Sequence, residues 1–191
     1  MKSSVQEILP IIGTGMDGGF YAGRIRIDSQ VFAMIVAPKS EGEAKPTIWI
    51  PKAKELSGAK SYYDGLANTK AMAEADSKLA QWAIDLRIAG HDDWYLPSQD
   101  EFEIVYRNLK PTTEQNWCYA RSGINLSAVE PTRPYIPSFP VQTLAEAFQA
   151  GGEQAFEADW YWSSTQHAAY SLYAWAQTFN HGDQNGTSIG S

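Results

Sequence analysis

Hydrophobic and polar positions alternate along the first part of this chain, recur at helical spacing through its middle, and alternate again near its end. Residues 20–27 and 31–37 carry β-branched and aromatic side chains at every second position and are separated by Asp28-Ser29-Gln30, which predicts a β-hairpin. Thr47-Ile48-Trp49-Ile50 predicts a third short strand, stopped by Pro51, with residues 39–45 as an exposed loop. From 66 to 89 the period lengthens. Met72, Ala75, Leu79, Trp82, Ala83 and Leu86 fall on one helical stripe, with Asn68 or Thr69 as N-cap and Gly90 as the stop. Ser98 and Glu101 make a Ser-x-x-Glu capping box, and Phe102, Val105, Tyr106 and Leu109 supply the apolar face of a second helix ending before Pro111.

Residues 111–143 lose periodicity. They hold Pro111, Pro131, Pro134, Pro137 and Pro140, with Trp117 and Tyr119 as expected anchors, and are expected to be either a functional loop or an insertion wrapped on the core. A short helix over 143–148 ends at Gly151-Gly152. The chain then runs through Ala158-Asp159-Trp160-Tyr161-Trp162-Ser163-Ser164-Thr165-Gln166 and Tyr170-Ser171-Leu172-Tyr173-Ala174-Trp175-Ala176-Gln177-Thr178-Phe179. Dense aromatic and small polar residues suit two antiparallel strands. Trp160 and Trp162 share one face with Tyr161 on the other, and at least two of Trp160, Trp162 and Trp175 are expected in the core. Strands, two helices, long loops and a terminal hairpin predict an α+β fold with an antiparallel sheet, in one domain over 20–191 behind a flexible segment over 1–19.

Composition narrows the function. Hydrophobic content of 43%, seven Trp and ten Tyr predict a packed core. The net charge of −7 disfavours nucleic acid and anionic membranes as partners. Cys118 is the only cysteine, so no intrachain disulfide forms, and synthesis in a reducing cytoplasm is expected. No signal peptide or membrane span is readable at the start or elsewhere. The glycines at 13, 15, 18 and 19 precede a strand and no lysine follows, so they do not make a phosphate loop. His91, Asp92 and Asp93 lie in an extended turn with no second ligand cluster, which reads as a solvated turn, not a metal site. No cofactor is expected.

The segment Gly90-His91-Asp92-Asp93-Trp94-Tyr95-Leu96-Pro97-Ser98-Gln99-Asp100-Glu101-Phe102, with Tyr161-Trp162-Ser163-Ser164-Thr165 and Ala174-Trp175, resembles the Lcl-type C-terminal domain of bacterial collagen-like adhesins, a domain of unknown function. The likeness covers about residues 66–185, and Gly-Gly-Phe-Tyr-Ala-Gly-Arg at 18–24 looks like members encoded by phages and prophages. It implies a C-type-lectin-like fold related to the variable proteins of diversity-generating retroelements. Asp93, Trp94, Leu96, Pro97, Trp162, Ser163, Ser164 and Trp175 match scaffold positions. His167, Tyr170, Tyr173, Gln177, Asn180, His181, Asp183 and Asn185 match exposed, exchangeable positions, and Tyr161 joins them as a ligand contact. The family's final basic strand has no counterpart before Ser191: either the chain is truncated, or the N-terminal segment or a neighbouring subunit supplies the pairing, and an uncovered edge favours a homo-oligomer or incorporation into a larger particle.

These readings predict a non-catalytic ligand-binding module: a phage virion or tail-associated protein, made in the host cytoplasm, that recognises a host-surface glycan or protein through its terminal hairpin and contacts other virion proteins. Tyrosine and tryptophan offer rigid contact area, and asparagine, serine and glycine adaptable hydrogen bonds. The alternatives are a structural decoration or collar protein, or an enzyme like the formylglycine-generating enzymes. The last needs a copper-binding cysteine pair that a chain with Cys118 alone does not offer. Some lectin-like folds use calcium, and chelation during thermal melting is expected to produce no shift.

Overall fold

The computed structural model of the chain describes residues 9–45, 47–130, 132 and 134–190. The alternating front segment forms β2 (Gly19–Ile27) and β3 (Gln30–Val36), joined at Asp28, whose φ of 53° turns the chain. β1 (Gly15–Met16) and β4 (Ala128–Val129) both pair with β2, so β3 is an edge of this antiparallel sheet. Residues 1–8 lie outside the described residues. Beyond them Gly13 N donates to Tyr21 O at 2.8 Å, so the glycine-rich segment is paired to the sheet where a flexible lead was expected.

The predicted third strand is not formed. Residues 47–50 lack a ladder partner, and Trp49 and Ile50 are fully buried as plugs, with Trp49 Nε1 donating to Ser163 O at 2.8 Å. α1 (Lys39–Gly42) stands where an exposed loop was expected. The predicted single helix is two, α2 (Gly65–Glu74) and α3 (Lys78–Asp85). Asp76 turns to a φ of 68° between them, and Ser77 caps α3 while its hydroxyl donates to Trp49 O at 2.6 Å. Met72, Ala75, Leu79 and Ala83 still meet in one core with Trp49, Ile50 and Leu56. Asp64 caps α2. The expected caps Asn68 and Thr69 are buried and serve elsewhere, Asn68 Nδ2 donating to Ser61 O at 2.7 Å and Thr69 Oγ1 accepting from Leu96 N at 3.1 Å. Past α3 the chain turns at Ile88–His91, so Gly90 belongs to a turn and does not end the helix.

The capping box forms as expected at the start of α4 (Gln99–Leu109), but every residue of this helix is buried, not one face alone. Its apolar side enters a second core with Ala22, Ile25, Met34, Phe148 and Phe179. Gly23, at a φ of 134°, lets β2 bulge beside Asn108, whose amide donates to Ala22 O at 2.7 Å. The polar side holds the insertion. Asn125 Nδ2 donates to Glu103 Oε2 at 2.6 Å, Arg121 pairs with Asp100 at 2.6 Å, Arg107 pairs with Glu103 and donates to Gly123 O at 2.8 Å, and Lys110 and Tyr106 donate to Asn116 Oδ1 at 2.9 and 2.7 Å. A 3₁₀ turn at Glu146–Phe148 replaces the short helix expected there.

The last sheet contains β5 (Trp160–Gln166), β6 (Tyr173–Thr178) and β7 (Gln184–Ser188) in antiparallel order. The two motif stretches bond to each other across it: Ser164 N donates to Pro97 O at 2.8 Å, and Gln99 N to Thr165 Oγ1 at 3.0 Å. With Ala174 and Ile189 in the first core and Phe179 in the second, the sheet divides the two. The architecture is α+β, with antiparallel sheets and, among the described residues, four α-helices.

Glu101 closes the junction of α2 and α4. Its buried carboxylate accepts from Ser98 N at 2.6 Å, Gly65 N at 3.1 Å and the Tyr95 hydroxyl at 2.9 Å. Burial outweighs these bonds and pushes its pKa up to about 7. Below about pH 4.5 the carboxyl is protonated folded or unfolded. Between there and about pH 7 the folded chain keeps a proton that the unfolded chain releases, so stability falls as pH rises across that window. Glu101→Gln keeps the acceptor and removes the titration. It is expected to flatten the stability profile from pH 4.5 to 7 by on the order of 3 kcal/mol in urea melts. The slope does not vanish, because burial raises Asp100 and Glu103 in the same direction. Gly65→Ala would put a methyl group 2.7 Å from both Leu96 O and Ser98 N, and a loss of at least about 2 kcal/mol is expected in the same assay.

Candidate functional site

One face of β6 carries Tyr173, Trp175 and Gln177, and α4 covers only part of it. The boundary is a chain of amides. Gln99 Nε2 donates to Gln184 Oε1 at 3.0 Å, Gln184 Nε2 to Gln177 Oε1 at 3.4 Å, and Gln177 Nε2 to Gly182 O at 3.3 Å. On the far side of that boundary the strand is open, and an aromatic group forms. His167 stacks on Trp175 with centroids 5.0 Å apart and planes at 23°, touches Tyr170 at 4.9 Å, and Tyr170 meets Tyr173 at 6.3 Å. Tyr170 is 64% exposed and Tyr173 43%, with Leu172 exposed beside them.

The loop that presents these rings is tied down from two directions. From beneath, buried Gln166 donates to Ser171 O and Lys54 O, both at 2.7 Å, and accepts from Leu56 N at 2.7 Å. From above, His167 Nδ1 accepts the amides of Ala169 and Tyr170 at 3.2 and 3.1 Å, which leaves the ring proton on Nε2 in the neutral imidazole. The residues between β5 and β6 are therefore ordered before any ligand arrives, which lowers the entropy cost of docking.

The predicted contact residues separate into groups. His167, Tyr170 and Tyr173 come together with Trp175, which the resemblance placed in the scaffold. Asn185 is exposed but sits opposite Ala176, on the other face of the sheet from Tyr173 and Trp175. Asn180, His181 and Asp183 lie in the turn between β6 and β7. There His181 meets Trp117 at 6.1 Å, and Trp117 meets Tyr119 at 6.4 Å. Trp117 and Tyr119 are 49% and 72% exposed, so they are surface rings and not the anchors the sequence suggested; Asn116 is the anchor. Asn180 and Asp183 are half-buried, and each meets the insertion: Asn180 Nδ2 donates to Glu114 Oε2 at 3.4 Å, and Asp183 Oδ1 accepts from Ser122 at 3.4 Å.

Two expected contacts are corrected. Gln177 is 2% exposed because α4 and β7 close over its amide. Tyr161 faces the second core, its ring 5.9 Å from Phe102, 5.7 Å from Phe156 and 5.4 Å from Phe179. Its hydroxyl donates to Glu43 Oε1 at 3.0 Å and accepts from Glu157 N at 2.8 Å. The expected burial of two terminal tryptophans also fails, since Trp160 is exposed and Trp162 and Trp175 are half-buried.

The exposed Cys118 thiol donates weakly to Asn116 O at 3.7 Å, and desolvation raises its pKa, the opposite of an activated nucleophile. Among the described residues no three His, Cys, Asp or Glu side chains converge as a metal site. No helix among them is long and apolar enough to cross a membrane. Two open hollows, of about 240 and 440 Å³, are lined by Pro137, Pro140 and Glu114 and by Glu43, Lys78 and Trp82, away from the aromatic group. No family model, curated protein or solved structure matches the chain.

The division between buried and presented rings is measurable. Tyr161→Ala is expected to lower stability by about 3 kcal/mol in urea melts, as truncation of a packed aromatic does. Tyr170→Ala and Tyr173→Ala are expected to stay within about 0.5 kcal/mol of the parent.

Proposed function

We propose that this chain is a non-catalytic recognition module with a C-type-lectin-like fold, carried on a phage virion or tail and binding a host-surface glycan or protein. The observation that carries this reading is the wet aromatic group of His167, Tyr170, Tyr173 and Trp175 on a loop held by buried Gln166. Aromatic faces stack on the apolar faces of sugar rings and serve equally as anchors in protein interfaces. The exposed rings of Trp117 and Tyr119 beside His181 offer a second contact region. Support for the lectin-like fold comes from the motif residues that bond to one another, Pro97 to Ser164 and Gln99 to Thr165.

The test is binding to an array of bacterial surface glycans and to intact bacterial cells. Tyr170→Ala and Tyr173→Ala are each expected to weaken binding about tenfold or more with the melting temperature unchanged. Binding that neither substitution alters would place recognition elsewhere. A chain that binds nothing yet incorporates firmly into particles would favour the decoration role.

A further inference from the structure

We infer that β3 is a self-association strand, and that two copies of this chain join the β1–β2–β3 sheet edge to edge around a two-fold axis. This inference stands independently of the recognition site.

An edge strand exposes a row of backbone N–H and C=O groups, and soluble proteins ordinarily protect such a row with charges, proline, a bulge or a covering segment. Among the described residues β3 has none of these. Its sequence, Gln30-Val31-Phe32-Ala33-Met34-Ile35-Val36, contains no charged residue and no proline, and the irregularity in the β2–β3 ladder lies at Tyr21/Gly23, in β2. Among the described residues, no backbone group of β3 bonds to anything other than β2. The side chains show the same gap. Phe32 stands opposite Ile25, which is fully buried, yet Phe32 is 44% exposed, with no strand among the described residues paired beyond it, and Val31 is 41% exposed. The other terminal edge differs: β7 reads Gln184-Asn185-Gly186-Thr187-Ser188, polar and interrupted by glycine.

The partner argued for is a second copy, because the strand is complementary to itself. With Ala33 on the axis in antiparallel register, Phe32 of one copy meets the partner's Met34 on the core side. Val31 meets the partner's Ile35 on the outer side, and the two Ala33 methyls face each other where a small side chain allows close approach. Every pair within two residues of the axis is apolar on apolar, and the joined strands satisfy each other's free backbone groups. A C2 contact of this kind closes and does not propagate. It would also carry two recognition sites per particle, which raises apparent affinity for a repetitive surface.

Sedimentation equilibrium of the full chain tests the inference. The parent is expected at twice the 21.2 kDa chain mass. A33E places two carboxylates against each other on the axis and is expected to weaken association at least about tenfold. A33K is expected to do the same, and an equimolar mixture of A33E and A33K to restore the dimer. Circular-dichroism melting confirms that each variant folds. V31E, at an exposed position two residues from the axis, replaces A33E if that variant fails to fold, and is expected to dissociate the dimer likewise. A parent that remains monomeric across the concentration series overturns the inference, as does an assembly of unchanged mass in folded A33E or V31E.

Discussion

A helix enclosed on every side must find partners for each polar side chain it carries, because an unmade hydrogen bond in the interior costs about 1–3 kcal/mol. α4 is that helix, and it brings Asp100, Glu101, Glu103, Arg107 and Asn108 inside with it. The groups that satisfy them lie on every surrounding layer: Gly65 at the start of α2, Ala22 on β2, and Gly123 and Asn125 in the insertion. The helix thus fixes where those layers sit. Such a network tolerates little displacement, since a shift that breaks one bond leaves a buried charge unpaired.

The same constraint explains how an aperiodic stretch can be ordered. The residues between Pro111 and Thr143 have few apolar positions in the core, and α4 holds them by charge and amide instead. The final sheet gains its position from the helix N-terminus, where Gln99 reaches Thr165 by its backbone and Gln184 by its side chain. The end of this β6 face that the helix covers becomes core at Gln177, and the end it leaves uncovered becomes surface at Tyr173 and Trp175. Where α4 begins therefore decides which tyrosines meet solvent.

Local signals were legible where the chemistry was local. The Ser98–Glu101 box, the front hairpin and the alternation of β5 and β6 each depend on neighbours a few residues away. Thr47–Ile50 has strand composition, yet Trp49 and Ile50 fill a core with no partner strand, because burial satisfies the same residue types as a ladder does. The single stripe over 66–89 hid a break at Asp76, since both helices turn their apolar residues to one core and the periodicity survives the interruption. The site was half legible. Alternation correctly put Tyr173 and Gln177 on one face, but which end of that face α4 would cover is a long-range fact with no trace in the strand itself. Trp117 and Tyr119 looked like anchors because large aromatics usually are; the anchoring fell to Asn116, whose amide meets Tyr106, Lys110 and Pro140.

Hydroxyl-radical footprinting of the full chain, on intact bacterial cells that it binds and free in solution, tests the central claim most directly. The account predicts that Tyr170, Tyr173 and Trp175 lose reactivity on binding while Trp160, exposed on the opposite face of the sheet, keeps its own. Loss of reactivity at Trp160 with Tyr170 and Tyr173 unprotected would contradict it.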